Sequence, residues 1–183
     1  TVGPKFRAEP SPVFTRVALR TLEPHRIWTA TIYGLQPGES LDYRVLLDGK
    51  RVFSSQARVP RSPTQSYRFG VFGDSGQASP EQKALAYQLG KAKPDLVFVA
   101  GDVVYGRGRA SEDWSKHFPI FNADDARPDT GAPLLRSVPF VAAPGNHDIA
   151  YTDLATYPDG LAYFYYWRQP LNGPASYKPA PLS

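Results

Sequence analysis

The rhythm of apolar and polar positions changes near residue 62. Before that point the chain alternates. Arg26-Ile27-Trp28-Thr29-Ala30-Thr31-Ile32-Tyr33 has period two and is rich in β-branched and aromatic side chains, which suit a half-buried pleated surface. Gly34-Leu35-Gln36-Pro37-Gly38 then turns the chain, glycine and proline supplying the backbone angles a turn needs. Residues 41–47 read as a second strand, Asp48-Gly49 as a tight hairpin turn, and 51–59 as the returning strand. Pro60-Arg61-Ser62-Pro63-Thr64 is a proline-punctuated linker. The pattern predicts an antiparallel β unit over 1–62 and a second unit over 63–183.

The second unit has another period. Residues 67–72 form a short, mostly apolar strand. Ser79-Pro80-Glu81-Gln82 opens a helix, with serine as cap and proline at the first helical position; Leu85, Ala86 and Leu89 share its apolar face. Residues 95–100 run continuously apolar after Asp95, the pattern of a strand buried on both faces. Strand, helix and strand predict a right-handed βαβ unit. A second helix is expected over 111–121, then a polar loop, a third buried strand over 138–143, an aromatic stretch over 157–167, and a tail rich in proline, glycine and serine.

Each apolar strand runs directly into a polar cluster. These are Gly73-Asp74-Ser75-Gly76, Gly101-Asp102-Val103-Val104-Tyr105 and Pro144-Gly145-Asn146-His147-Asp148. In an open parallel sheet ligands sit beyond the carboxyl ends of the strands, so the three clusters should meet at one edge. Taken singly, Asp74 fits a turn, Asp102 a cap, and Asn146 a left-handed turn position. On successive strands they point together to hydrolysis at two metal ions, where a carboxylate bridges the pair and both the attacking and leaving oxygens are clamped. Hard oxygen donors suit Fe, Mn or Zn.

The three clusters resemble the first three motif blocks of the purple acid phosphatases, D-x-G, G-D-x-x-Y and G-N-H-D/E. The wider calcineurin-like metallophosphoesterase superfamily carries D-x-H in the first block and no tyrosine ligand. This chain has Gly76 where that histidine would stand, and it has Tyr105. The resemblance implies an α/β metallophosphoesterase domain, its N-terminal part lying over 63–183. It implies that Asp74 binds the first metal, that Asp102 bridges both, and that Tyr105 binds the first as a phenolate. Asn146 would bind the second through its amide oxygen, and His147 would stand beside the substrate phosphate, oriented by Asp148. The implied cofactors are two metal ions, Fe(III) plus Fe, Zn or Mn. The implied reaction is hydrolysis of phosphate monoesters on a small-molecule substrate; the alternatives are a phosphodiesterase or nucleotide hydrolase of the same superfamily, and a non-catalytic binding module on a decayed scaffold.

The family's V-x-x-H and G-H-x-H blocks have no counterpart, because no histidine follows His147. The expectation is therefore an incomplete piece, inactive alone, with the remainder of the catalytic domain supplying histidine ligands. The strand, G-L-x-P-G and strand around Tyr43-Arg44-Val45 resemble a partial fibronectin-type-III-like β-sandwich, in which Tyr43 either links the sheets as a corner or packs in the core. Export to the periplasm or the cell exterior is implied by the resemblance alone.

Composition narrows the field. The absence of cysteine excludes disulfides, thiolate metal sites and cysteine nucleophiles. A net charge of +4 suits an anionic substrate but is too weak to argue for nucleic acid. No apolar run approaches the roughly 18 residues of a membrane span. Among the remaining residues, Arg107 and Arg109 read as a solvated loop within reach of a phosphate. His117, beside Lys116, reads as solvated on its helix, His25 as a surface turn residue, and 163–167 as core or as a wall of the site.

Overall fold

The computed structural model describes residues 5–10, 25 and 27–168. The proline-rich tail lies outside the described residues. Along the chain run β1 (Lys5–Pro10), β2 (Trp28–Tyr33), β3 (Ser40–Leu47), β4 (Lys50–Arg58), β5 (Phe69–Phe72), α1 (Pro80–Lys91) and β6 (Leu96–Ala100). Then come α2 (Ala110–Glu112), a π-helical turn (Asp113–His117), α3 (Phe118–Phe121), β7 (Asn122–Arg127), β8 (Gly131–Pro133), β9 (Phe140–Ala143) and α4 (Tyr163–Tyr166).

Strands β5, β6 and β9 form one parallel sheet in that order. Helix α1 connects the first two. It starts where predicted: the Ser79 side chain accepts the Gln82 N–H at 3.2 Å, with Pro80 just inside. Gln82 is buried and anchors its surroundings, accepting the Gln77 and Ala78 N–H groups and donating to the Lys116 carbonyl. The core packs on one face of the sheet. Val97 meets Ala86 of α1 and Ile120 and Phe121 of α3, while Val99 and Ala142 meet Tyr163 of α4. Phe72 stacks on Phe121 at 4.8 Å and 9°. Full burial of a side chain such as Phe121 contributes about 2–3 kcal/mol.

The opposite face is open, which corrects the expectation of strands buried on both sides. In a parallel pair, registered residues point the same way, so Phe69, Val71 and Phe98 share the face opposite Val97 and Val99. Phe69 and Val71 are each 60% exposed and Phe98 is 37% exposed. The α1, α3 and α4 residues of the core all sit on the other side. An apolar run alone cannot tell one covered face from two.

The front of the chain is β structure, as predicted, in two separate antiparallel pairs, β1–β2 and β3–β4. Among the residues whose burial is described none before Ser75 is buried, so these residues show two strand pairs and not a packed sandwich core. Tyr43 forms neither a corner nor a core: its hydroxyl donates to the Arg136 carbonyl at 2.9 Å, docking the hairpin on the α/β unit. The Arg58 N–H bonds to the Ser137 carbonyl at 2.9 Å, its guanidinium bonds to the Lys93 and Pro94 carbonyls, and Arg61 pairs with Asp95.

The predicted second helix exists but is broken in its middle by the π turn. That turn buries His117 completely, contrary to the solvated position expected for it. His25 is also less exposed than expected, with Nε2 2.9 Å from the Tyr166 hydroxyl. The expected polar loop after α3 is instead the β7–β8 hairpin.

Candidate functional site

The parallel sheet delivers all three predicted clusters to one edge, because β5, β6 and β9 end in the same direction. Backbone bonds tie their loops together. The Asp74 N–H reaches the Gly101 carbonyl at 3.3 Å and the Ser75 N–H reaches the Asp102 carbonyl at 3.1 Å. The Tyr105 N–H reaches the Gly76 carbonyl at 3.4 Å, and the His147 N–H donates to Asp102 Oδ1 at 3.0 Å.

Both aspartates occupy left-handed backbone, Asp74 at φ 53° and Asp102 at φ 48°. Few residues other than glycine tolerate this conformation, aspartate among them, at a cost of roughly 1–3 kcal/mol that is commonly found at functional sites. Gly76, at φ 77°, lies under the next loop, where an added Cβ would fall 2.3 Å from the Val103 carbonyl oxygen. A histidine at this position would collide with that backbone.

His147 and Tyr105 stack face to face, with ring centroids 4.2 Å apart at 26°. The His147 Nδ1 lies 3.0 Å from the Gly106 carbonyl. A carbonyl only accepts, so Nδ1 carries a proton and Nε2 is the nitrogen left for a ligand. This pairing differs from the expected one, in which Asp148 orients His147. Asp148 is turned inward and buried, and its carboxylate accepts the N–H groups of Val103 (3.1 Å), Val104 (3.2 Å) and Gly145 (2.8 Å). Neighbouring side chains in this turn point apart, so residue 148 ties the β6 and β9 loops together while residue 147 faces Tyr105. Burial pushes the Asp148 carboxyl above its ordinary value, against the pull of the three amide donors.

Asp102 is buried, Tyr105 is half-buried, and Asp74 and Asn146 are exposed. The donors at this edge are two carboxylates, a phenol and an amide, a set that fits a hard metal ion. One Asp102 oxygen, Oδ1, accepts the His147 amide. Among the described residues no group of three or more histidine, cysteine, aspartate and glutamate side chains could hold a metal ion. The set is therefore suitable in chemistry and short in number.

Three supporting residues escaped the sequence reading. Gly106 supplies the carbonyl that holds His147. Glu112 accepts the N–H groups of Arg107 and Arg109; its place three residues after Arg109 is a helix-capping spacing that could have revealed it. Asp159 is fully buried and pairs with Arg109 at 2.9 Å, a role that a turn such as Pro158-Asp159-Gly160 does not announce.

A model of the family "Calcineurin-like phosphoesterase" matches residues 67–180. The chain is also similar to the "Probable inactive purple acid phosphatase 1" of Arabidopsis thaliana, 24% identical over 159 residues. That stretch covers 76% of this chain and 24% of the relative, so the chain spans about a quarter of the relative's length.

Proposed function

From a chain that belongs to the calcineurin-like phosphoesterase family, we propose a phosphomonoesterase of the purple-acid-phosphatase kind, working at two metal ions. The observation that carries this reading is the convergence of the Asp74, Asp102 and His147 loops at one sheet edge, with Asp102 and His147 bonded at 3.0 Å. In this reading Asp74 and Tyr105 hold Fe(III), Asp102 bridges to a second ion of Fe, Zn or Mn, and Asn146 holds that second ion. Histidines from outside this chain complete both shells, which accords with the short ligand set among the described residues. The bound ions would supply Lewis acidity toward the phosphoester oxygens.

The chain's own residues do the rest. His147 offers Nε2 to the phosphoester. With Nδ1–H held by Gly106, Nε2 accepts in the neutral ring, and it donates a hydrogen bond or a proton to developing negative charge only when the ring carries both protons. Gly106 and the Tyr105 ring fix the imidazole, and Asp148 holds the two loops in register. A fibronectin-type-III-like front unit and export from the cytoplasm belong to the same proposal, supported by the resemblance alone. The competing reading, a scaffold without catalysis, is favoured by the word "inactive" in the relative's name. The presence of Asp74, Asp102, Tyr105, Asn146 and His147 together supports the catalytic one.

The test is metal analysis and hydrolysis of an aryl phosphate by the full-length protein and its Asp102→Asn variant. The expected result is two ions per site, and a loss of both metal and activity in the variant of more than about a hundredfold, the upper range for residues one step removed from a metal. Visible spectra of the same preparations read the Tyr105 assignment: the iron-loaded wild type should be coloured and Tyr105→Phe bleached. A fully metallated wild type that hydrolyses neither monoesters nor diesters establishes the non-catalytic reading. An active Asp102→Asn variant removes the dimetal one.

A further inference from the structure

The loop that leaves the site carries two guanidinium groups, and the fold treats them differently. Arg109 donates Nε–H to Asp159 Oδ1 at 2.9 Å. Asp159 is fully buried and also accepts from Ser111 Oγ at 3.3 Å, so the partly exposed Arg109 is neutralised by a buried carboxylate. Arg107 has no carboxylate partner among the described residues. Its guanidinium lies over the Tyr151 ring, 4.8 Å from the centroid. Tyr151 stacks on Tyr157 at 3.8 Å and 8°, and Arg109 approaches the Tyr157 ring at 5.8 Å. A chain of contacts thus runs from Arg107 through Tyr151, Tyr157 and Arg109 to Asp159. It is neutralised at one end and open at the other.

The nearby carboxylates are already engaged. Glu112 pairs with Lys116 and accepts the Arg107 and Arg109 N–H groups, Asp148 takes three amides, and Asp153 closes its own turn on Ala155 and Thr156. The rim is braced too, by the Ala110 N–H on the Asp159 carbonyl at 2.8 Å and the Ala162 N–H on the Gly108 carbonyl at 3.0 Å. Arg107 adjoins Gly106, whose carbonyl holds His147. A guanidinium held on an aromatic face has its planar fork set before any ligand arrives, and that fork matches a phosphate bidentately.

We propose that Arg107 determines specificity by binding a second phosphate group on the substrate, so that phosphoanhydrides and other compounds with two phosphates are favoured over esters of neutral alcohols. The proposal rests on the phosphoesterase reading above and names the substrate class for that site.

The experiment compares kcat/KM for inorganic pyrophosphate and phenyl phosphate in the metal-loaded full-length protein. Arg107→Gln should lower the ratio of the two by about tenfold, the weight of one charge-assisted contact, and do so through KM. Tyr151→Leu should shift it the same way by less, and Arg107→Lys should restore part of it. An unchanged ratio overturns the proposal, as does an equal fall for both substrates. Calorimetric titration of the metal-free protein with pyrophosphate and with orthophosphate gives a second reading. The wild type should bind pyrophosphate more tightly, and Arg107→Gln should lose that preference. A wild type that hydrolyses neither compound sinks the phosphoesterase reading while this titration still decides Arg107. A preference retained in the variant then overturns the proposal, and its loss upholds it.

Discussion

His117 is without solvent exposure, and neither ring nitrogen has a hydrogen-bond partner among the described residues. Burial pushes its pKa down to about 3. Because the folded value lies below the unfolded one, the stability this group lends is present above about pH 6.5 and drains away as pH falls toward 3. Asp113, on the same turn, is buried and pushed well up by desolvation first, so it lends stability at low pH and loses it as pH rises. The two oppose each other in the wild type, and a His117→Leu variant separates them. Relative to wild type it should gain about 2 kcal/mol between pH 7 and pH 5, measured by urea unfolding at each pH. Parallel pH curves would show that another group titrates. The sequence misled here for a physical reason. One extra residue in the π turn rotates the residues beyond it by roughly 100° from their regular helical places, and so carries a histidine with polar neighbours inward. The shared edge of Asp74 and Asp102 was legible because each follows an apolar strand of one parallel sheet, although either aspartate alone would equally fit a turn or a cap.

Between elements, Gly76 shows how a loop crossing selects a residue. It shares a left-handed φ near 77° with Gly34, but Gly34 has nothing within 4 Å of an added Cβ, whereas Gly76 has the Val103 and Val104 backbone. Gly34→Ala should therefore cost only the left-handed backbone penalty, about 1–2 kcal/mol. Gly76→Ala should cost roughly 2–4 kcal/mol, by adding a steric clash to the same strain. Thermal unfolding of the two variants side by side measures the difference, and equal losses would mean that the loop crossing yields freely. From sequence this glycine could be read only as the absence of a histidine; the crossing backbone gives its cause. The β7–β8 hairpin was illegible because Asn122-Ala123-Asp124-Asp125 carries none of the β-branched alternation that marks strands. Tertiary bonds hold it instead, with Arg136 donating to Asn122 Oδ1 at 2.7 Å and to the Asn122 carbonyl at 2.6 Å.

Across the whole molecule, the parallel sheet and its loaded edge were readable because strand ends and polar clusters coincide in the chain. The open face was not, since an apolar run has the same letters whether one face or two are covered. Phe69, Val71 and Phe98 form contiguous apolar surface there, with the two phenyl rings 6.0 Å apart. Such a patch invites association, so the 183-residue chain produced alone should bind a hydrophobic dye and self-associate, and Val71→Thr with Phe98→Thr should reduce both. A dye-silent monomer would show that this face is covered. The order β5, β6, β9 across the sheet repeats the order along the chain, and this bears on how the molecule is made. Of these three strands each later one is made after the neighbour it pairs with, so none has to be inserted between two earlier ones. The loops at the sheet edge are made in the same succession, the Asp74 loop first and the Asp102 loop second. Of these three loops residues 145–148 are made third, and only with them present can the Asp148 carboxylate take up the Val103 and Val104 amides.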